Sequence, residues 1–192
     1  MKKIALIAMT AAAAIATPAM AQTTDVTGTI NITGSVAPKC FVIGEAVGST
    51  FGTTVAMGEL AQANGTLKSS ADLSATFASV GGAGLDARVL CTSATPDVSV
   101  LAEPLVNEVA APAGYDNSVD YQADVAFSLV GGTTENVSDP STDVDATTDT
   151  LSARLNGTGT NVRVRTSNWS ASGTLVAGSY AGKITVVISP GA

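Results

Sequence analysis

The chain has 192 residues, 9 basic against 16 acidic side chains, a net charge of −7 and no histidine. An acidic chain repels nucleic acid and anionic lipid, which excludes both as partners. The missing histidine removes Ser-His-Asp and Cys-His nucleophile systems and most zinc sites.

Residues 1–21 read as a secretory signal. Lys2 and Lys3 form the charged start, Ile4 to Ile15 the apolar stretch, and Ala19-Met20-Ala21 the cleavage site, leaving Gln22 as the first residue of the exported chain. The apolar run is too short for a membrane anchor, which needs about 20 residues. No later stretch is apolar enough to insert in a membrane. Cleavage removes two lysines, so the exported chain is more acidic still.

Residues 22–38 read as an N-terminal extension and residues 39–192 as one domain. Within DVTGTINITGSVAPKC the pattern alternates: Val26, Ile30, Ile32 and Val36 fall on one face of a strand, with Gly28 and Gly34 in register. The exported compartment makes a disulfide the default for Cys40 and Cys91. It would close a loop of about 50 residues, worth roughly 4 kcal/mol in the chain-entropy account.

Phe41 to Ile43 continues a strand, Gly44 to Gly52 reads as a loop, and Thr53 to Leu60 as a second strand with Val55 and Met57 on one face. Ser70 to Val80 alternates through Leu73, Ala75 and Phe77 and is expected to be a strand. Arg88 to Thr92 carries Val89 and Cys91 on one face, and Val98 and Val100 begin the next strand after a Thr95-Pro96-Asp97 turn. Pro104 to Ser118 shows little regular pattern, whereas Val119 to Val130 is the clearest long strand. Thr133 to Thr150 reads as a long polar surface loop. Leu151 to Leu155 and Asn161 to Arg165 read as short strands around an Asn156-Gly157 hairpin turn, and Trp169 as a loop residue. The final strand is Ala181 to Ser189, with Ile184, Val186 and Ile188 on one face. Roughly seven to nine short strands without helical alternation predict an all-β fold of sandwich type, a closed barrel being the other way to close such a sheet.

The inventory of side chains carries no catalytic constellation and calls for no cofactor, so no enzyme is expected. Asp139, Asp143, Asp145 and Asp149 form the one cluster with metal-ligand character, through carboxylate oxygens for Ca²⁺. It lacks the central Gly and closing Glu of the helix-loop-helix calcium motif, and a solvated acidic loop accounts for it.

Four features together resemble the subunits of chaperone–usher fimbriae and the related spore coat U-like secreted proteins. They are the alternating GTINITGSVAPKC, the segment TVAMGEL (Thr54 to Leu60), the second cysteine at the end of a strand, and the C-terminal AGSYAGKITVVIS. The ending Ser189-Pro190-Gly191-Ala192 lacks the penultimate aromatic of pilins and leans toward the spore coat U-like branch. The resemblance implies an immunoglobulin-like sandwich lacking its last strand. Its hydrophobic groove would be flanked by Phe41 to Ile43 and by Ile184, Val186 and Ile188. A periplasmic chaperone would fill the groove, then an outer-membrane usher would replace it with another copy's extension. Val26, Ile30, Ile32 and Val36 would insert, with Gly34 over a shallow pocket. The implied role is a structural subunit of an extracellular fimbria or surface coat, supporting adhesion or biofilm. A secreted carbohydrate- or calcium-binding module is the alternative, with the acidic loop and Trp169 as its contacts.

Overall fold

The computed structural model describes residues 27–43 and 50–191. The signal segment, Val26 and most of the Gly44 to Gly52 loop lie outside these residues. The chain divides into two units, residues 1–35 and 36–192. In the first, residues 27–35 belong to no strand and are exposed throughout.

The regular structure of the second unit is mainly β-strand, with one α-helix. Strand β1 (Cys40–Val42) is followed by helix α1 (Ser70–Gly81), β2 (Asp86–Ala87), β3 (Val89–Cys91), β4 (Asp97–Val106), β5 (Tyr115–Asp116), β6 (Ser118–Ser128), β7 (Thr134–Pro140), β8 (Thr147–Thr150), β9 (Val162–Ser170), β10 (Thr174–Leu175) and β11 (Ala181–Ser189). All pairings are antiparallel except the two-residue contact of β5 with β10. The largest sheet runs β11-β4-β6-β9-β2, with β8 also on β4 and β7 also on β6. Among the described residues it is an open path with two edges, not a closed barrel.

The centre of the sheet is a fork. Strands β4 and β6 pair only at Leu105↔Val119 and Val106↔Ser118. Beyond that point β4 takes β8 as its partner and β6 takes β7. Between the arms lies the core. Val98, Val100 and Ala102 of β4 and Val119, Ala123, Val125 and Phe127 of β6 are at most 2% exposed. Each set recurs at every second residue, as strands with one inward face require.

Asp139 of β7 sits where the fork opens, fully buried. Its Oδ2 accepts from the Ala102 N–H at 2.7 Å, and its Oδ1 accepts from the Thr147 N–H at 2.9 Å and the Thr147 hydroxyl at 2.7 Å. The carboxylate thus bonds to β4 and β8 from the neighbouring β7.

Thr133 to Thr150 is therefore two strands and a turn, not the expected loop. Its polarity misleads because only Val137, Asp139 and Ser141 point inward, and two of those three are polar. The Ser141 hydroxyl accepts from the Tyr121 N–H at 2.9 Å. A strand whose inward positions carry hydrogen-bonding side chains has no apolar alternation to read.

Ser70 to Val80 is helix α1, not a strand. Leu73 and Phe77 are buried. Their spacing of four satisfies period two and the helical i, i+4 rule equally. The cap decides: Ser69 Oγ accepts from the Asp72 N–H at 3.1 Å while its hydroxyl donates to Asp72 Oδ2 at 2.6 Å. Gly81 is buried against Leu85, where an added Cβ would lie 2.5 Å from that side chain.

Three smaller expectations are also corrected. Leu151 to Leu155 forms no strand; Leu151 and Leu155 are buried anchors of an irregular segment. Asn156-Gly157 is not a hairpin turn, because Asn156 Oδ1 accepts from the Thr158 N–H at 3.1 Å in a side-chain turn. Beside it Asn161, 1% exposed, pairs its amide with both backbone groups of Val89, at 2.8 and 2.6 Å. Finally, β4 runs through Pro104 to Val106, and the bulge at Gly182 of β11 faces this proline.

Cys40 and Cys91 form a disulfide between directly opposed residues of β1 and β3, with Cα atoms 4.1 Å apart. Lys39 is held alongside, its N–H donating to Thr92 Oγ1 at 2.9 Å and its carbonyl accepting from the Thr92 N–H at 2.9 Å. The join between extension and body is thus clamped immediately before the bridge.

Asp116 ties the segment before β10 to β5. Its Oδ2 accepts from the Ser172 N–H and hydroxyl, both at 2.7 Å, and its Oδ1 from the Ser118 N–H at 3.0 Å. The Ser172 hydroxyl, followed by backbone donors, holds its carboxyl below the ordinary value despite opposing desolvation. A depressed folded pKa stabilises the fold above the unfolded value near 3.8, and that contribution is lost as pH falls through the lower folded value. Asp116→Asn is expected to remove this acid dependence and to lower Tm at pH 7 by about 2–4 °C for each kcal/mol of lost bonding. Thermal melts of both proteins from pH 2 to 7 check it; parallel pH profiles would refute it.

Candidate functional site: a groove beside the last strand

Strand β11 lies at one end of the sheet order, so one side of its backbone has no strand partner among the described residues. Its inward aliphatics are also incompletely covered. Val98, Val100 and Ala102 of the adjacent β4 are at most 2% exposed, yet Ile184, Val186 and Ile188 reach only intermediate burial. The alternation expected for β11 is present; the cover over it is missing.

Across from β11 runs the segment 51–60. It forms no strand, contrary to the expectation for Thr53 to Leu60. Its side chains alternate from Thr54 to Met57, Val55 and Met57 half-buried against the core and Thr54 and Ala56 exposed; after the exposed Gly58 and Glu59 the buried Leu60 falls out of that register. Among the described residues no peptide N–H of 51–60 donates to another backbone group. Apart from its end, where the Leu60 carbonyl accepts from the Lys68 N–H at 2.9 Å, the segment has part of a strand's side-chain pattern without a paired strand, which is why period-two reading selects it. Gly52 and Gly58, both at positive φ, lie at either side of Val55 and Met57.

Between the two walls is a cavity of about 940 Å³. Val55, Met57 and Leu60 line one side, Ile184 and Val186 the other, and Phe77, Leu105 and Val164 contribute to the lining. Ile188 packs on the core but does not line the cavity. The wall facing β11 across this cavity is 51–61; Phe41 and Val42 do not line it and pair with Leu90 and Val89 of β3.

Tyr121 and Trp169 also line the cavity, stacked with centroids 4.8 Å apart and planes inclined by 25°. Trp169 is 6% exposed and belongs to β9, not to a loop. Its indole N–H donates to Thr166 Oγ1 at 3.2 Å, and its backbone N–H to Ser70 Oγ of α1 at 3.0 Å. The Tyr121 hydroxyl directs its proton at the carbonyls of Glu103 and Lys183, 2.9 and 3.1 Å away. Burial above all, with the nearby Glu103 and Asp139 charges, pushes the phenol well above its ordinary value, so it remains a neutral donor. This pair pins β6 to β4 and β11 beneath the cavity and supplies no titrating group.

The acidic cluster is not assembled. Asp139 is buried with its oxygens occupied as described, Asp143 and Asp145 are exposed on the β7–β8 turn, and Asp149 is exposed on β8. Among the described residues no three His, Cys, Asp or Glu side chains lie close enough together to hold a metal ion. No helix among them is long and apolar enough to cross a membrane.

The extension residues carry the opposite character. Ile30, Ile32 and Val36 are 87%, 92% and 75% exposed, and a Cβ on Gly34 would meet nothing within 4 Å. Val26 lies outside the described residues. The three aliphatics recur on the even positions 30, 32 and 36, with Gly34 between them, and all are exposed.

Comparison with protein-family models, characterised proteins and solved structures finds no match to this chain.

Proposed function

We propose that this protein is a structural subunit of an extracellular fimbria or surface coat whose copies join by strand complementation, the extension of one filling the groove of the next. The observation carrying this reading is the half-covered inner face of β11 beside a partnerless segment 51–60, in a chain whose own alternating extension is exposed. An extended peptide entering there would gain main-chain hydrogen bonds from β11 and place alternate side chains among the aliphatics of both walls. Burying Val26, Ile30, Ile32 and Val36 contributes roughly 6–12 kcal/mol in transfer terms, before ordering costs.

The finer fold assignment is an incomplete immunoglobulin-like sandwich. Tyr180, immediately before β11, supports it: its hydroxyl lies 3.0 Å from the Val176 carbonyl four residues upstream and 3.1 Å from that of Asp116. A tyrosine bonding back to its own upstream backbone at a strand corner is a hallmark of such folds. Export through the periplasm, a chaperone covering the groove and an outer-membrane usher belong to the same reading.

A synthetic peptide of residues 25–37, added to the chain beginning at Val36, whose groove no copy's extension can fill, tests it. Bound at a hundredfold excess over Kd it contributes about 2.7 kcal/mol. That should raise Tm by about 5–10 °C and alter Trp169 emission, since Trp169 lines the cavity. A peptide carrying Asp at positions 30 and 32 should do neither. Equal responses to both peptides, or to none, would dismiss the reading.

A further inference from the structure

The ten-residue strand β4 defines two ends of the body. At its start lies the join to the extension. Lys39 is bonded to Thr92, the Arg154 guanidinium donates to the Thr92 carbonyl at 3.5 Å, and the bend Thr92 to Pro96 leads into β4. The last residues of β11 are here too, Ser189 pairing with Asp97. At the other end of β4 the first residue of β11, Ala181, pairs with Val106. There the connection to β5 exposes an unusually apolar surface: Val106, Val109 and Tyr115 are 43%, 52% and 52% exposed, and Glu108 is the one charged residue of the segment 106–115.

An inserted extension has little slack. Val26 to Val36 spans about 36 Å when extended, against about 30 Å for β11. Lys39 follows Val36 by three residues, no more than about 11 Å, and is fixed to its own body by Thr92. The neighbour's body must therefore abut whichever end of the groove its Val36 reaches. Parallel insertion would bring it to the Asp97 end, where the recipient's own extension is attached. Antiparallel insertion brings it to the Val106 end, and antiparallel pairing is the stronger geometry.

We propose that the exposed apolar surface of Val106, Val109 and Tyr115 seats the body of the neighbouring copy, receiving its Lys39–Thr92–Arg154 end. This rests on the strand-complementation reading and adds a second, body-to-body contact. Charge fits it: Glu108 on the receiving surface would meet Lys39 and Arg154, all three exposed. The contact joins different surfaces of identical chains, so it is heterologous: it cannot form an isologous dimer, and it propagates into a filament wherever its rotation does not close into a ring.

The test uses residues 22–192 carrying Val109→Glu with Tyr115→Glu. Both side chains are half-exposed, so Tm should stay within about 2–4 °C of the parent, and the response to the 25–37 peptide should persist when the chain beginning at Val36 carries the same substitutions. Polymers, followed by light scattering after dilution, should dissociate at least about tenfold faster, the equivalent of about 1.4 kcal/mol. Glu108→Lys alone should also accelerate dissociation, and Lys39→Glu in the same chain should restore it. Unchanged dissociation in a chain that still binds the peptide would overturn this contact and leave strand complementation standing. Loss of attachment to an external surface with unchanged polymers would assign the patch to another partner and overturn it equally. No peptide response in the unsubstituted chain beginning at Val36 would remove the underlying reading, and this contact with it.

Discussion

A chain beginning at Val36 is expected to fold and to lose polymer formation altogether. The compact unit starts at that residue, and the disulfide, the fork of β4 and β6, and the buried core all lie beyond it. Truncation therefore removes no buried side chain among the described residues. What it removes is the strand that would enter a neighbour. The double substitution Ile30→Asp and Ile32→Asp separates this effect from chain length. Both isoleucines are about nine-tenths exposed, so the monomer's Tm should move by less than about 2 °C. Placing two carboxylates in an apolar groove costs several kcal/mol each if they remain charged, enough to suppress assembly at micromolar protein. Val186→Asp on the receiving side should block the same step, and a mixture of Val186→Asp with the extension double variant should form only short species. Sedimentation and negative-stain microscopy would measure this. Full-length polymers from the truncated chain would reject the donor role.

Asp139→Ala should be the most destabilising single substitution in the body, at about 3–5 kcal/mol. The carboxylate is fully buried and accepts three hydrogen bonds, two of them from backbone N–H groups of β4 and β8. Removing it strands the buried Ala102 N–H and the part-buried Thr147 N–H and opens a void in the fork; a stranded buried donor alone costs about 1–3 kcal/mol. Asp139→Asn keeps the shape but turns an amide N–H₂ toward donors, and should cost about 2–4 kcal/mol. For a domain of this size each kcal/mol lowers Tm by about 2–4 °C, so the alanine variant should melt at least about 6 °C below the parent. Asp143→Ala and Asp145→Ala, on the exposed turn, should change Tm by less than about 2 °C. A Tm unaffected by Asp139→Ala, or equal losses at all three positions, would refute the assignment of Asp139 as the structural member of the acidic cluster.

Strands with apolar inward positions were legible from alternation alone. Strand β6, the start of β4 and most of β11 follow their inward Val, Ile, Phe and Leu residues. The disulfide is present as expected from a chain with two cysteines and an export-like N-terminal segment. Where alternation failed, a competing chemistry had replaced it. Polar residues serve inward positions on β7. A Ser69 cap turns an ambiguous spacing of four into a helix. Trp169 is buried within an otherwise polar stretch because α1 and Tyr121 close over it. The sequence singled out Ile184, Val186 and Ile188 of β11 and Phe41 to Ile43 as flanks of one groove; in the structure Ile184 and Val186 share a cavity with 51–60, while Phe41 and Val42 pair with β3, because sequence order cannot tell which early segment a late strand will face.

Local pattern by itself determined that this chain is rich in strands, holds one disulfide, carries an alternating apolar extension and lacks a histidine-based active site. Those properties depend on residue type and on spacings of a few positions. Only the tertiary structure decided that β4 and β6 part company, that Asp139 sits in the fork, and that β11 is left half-covered opposite 51–60. Each of these depends on which segments distant in the chain come to pair. Pairing is settled by the joint burial of many side chains and the satisfaction of every buried backbone group, which no single stretch of sequence contains.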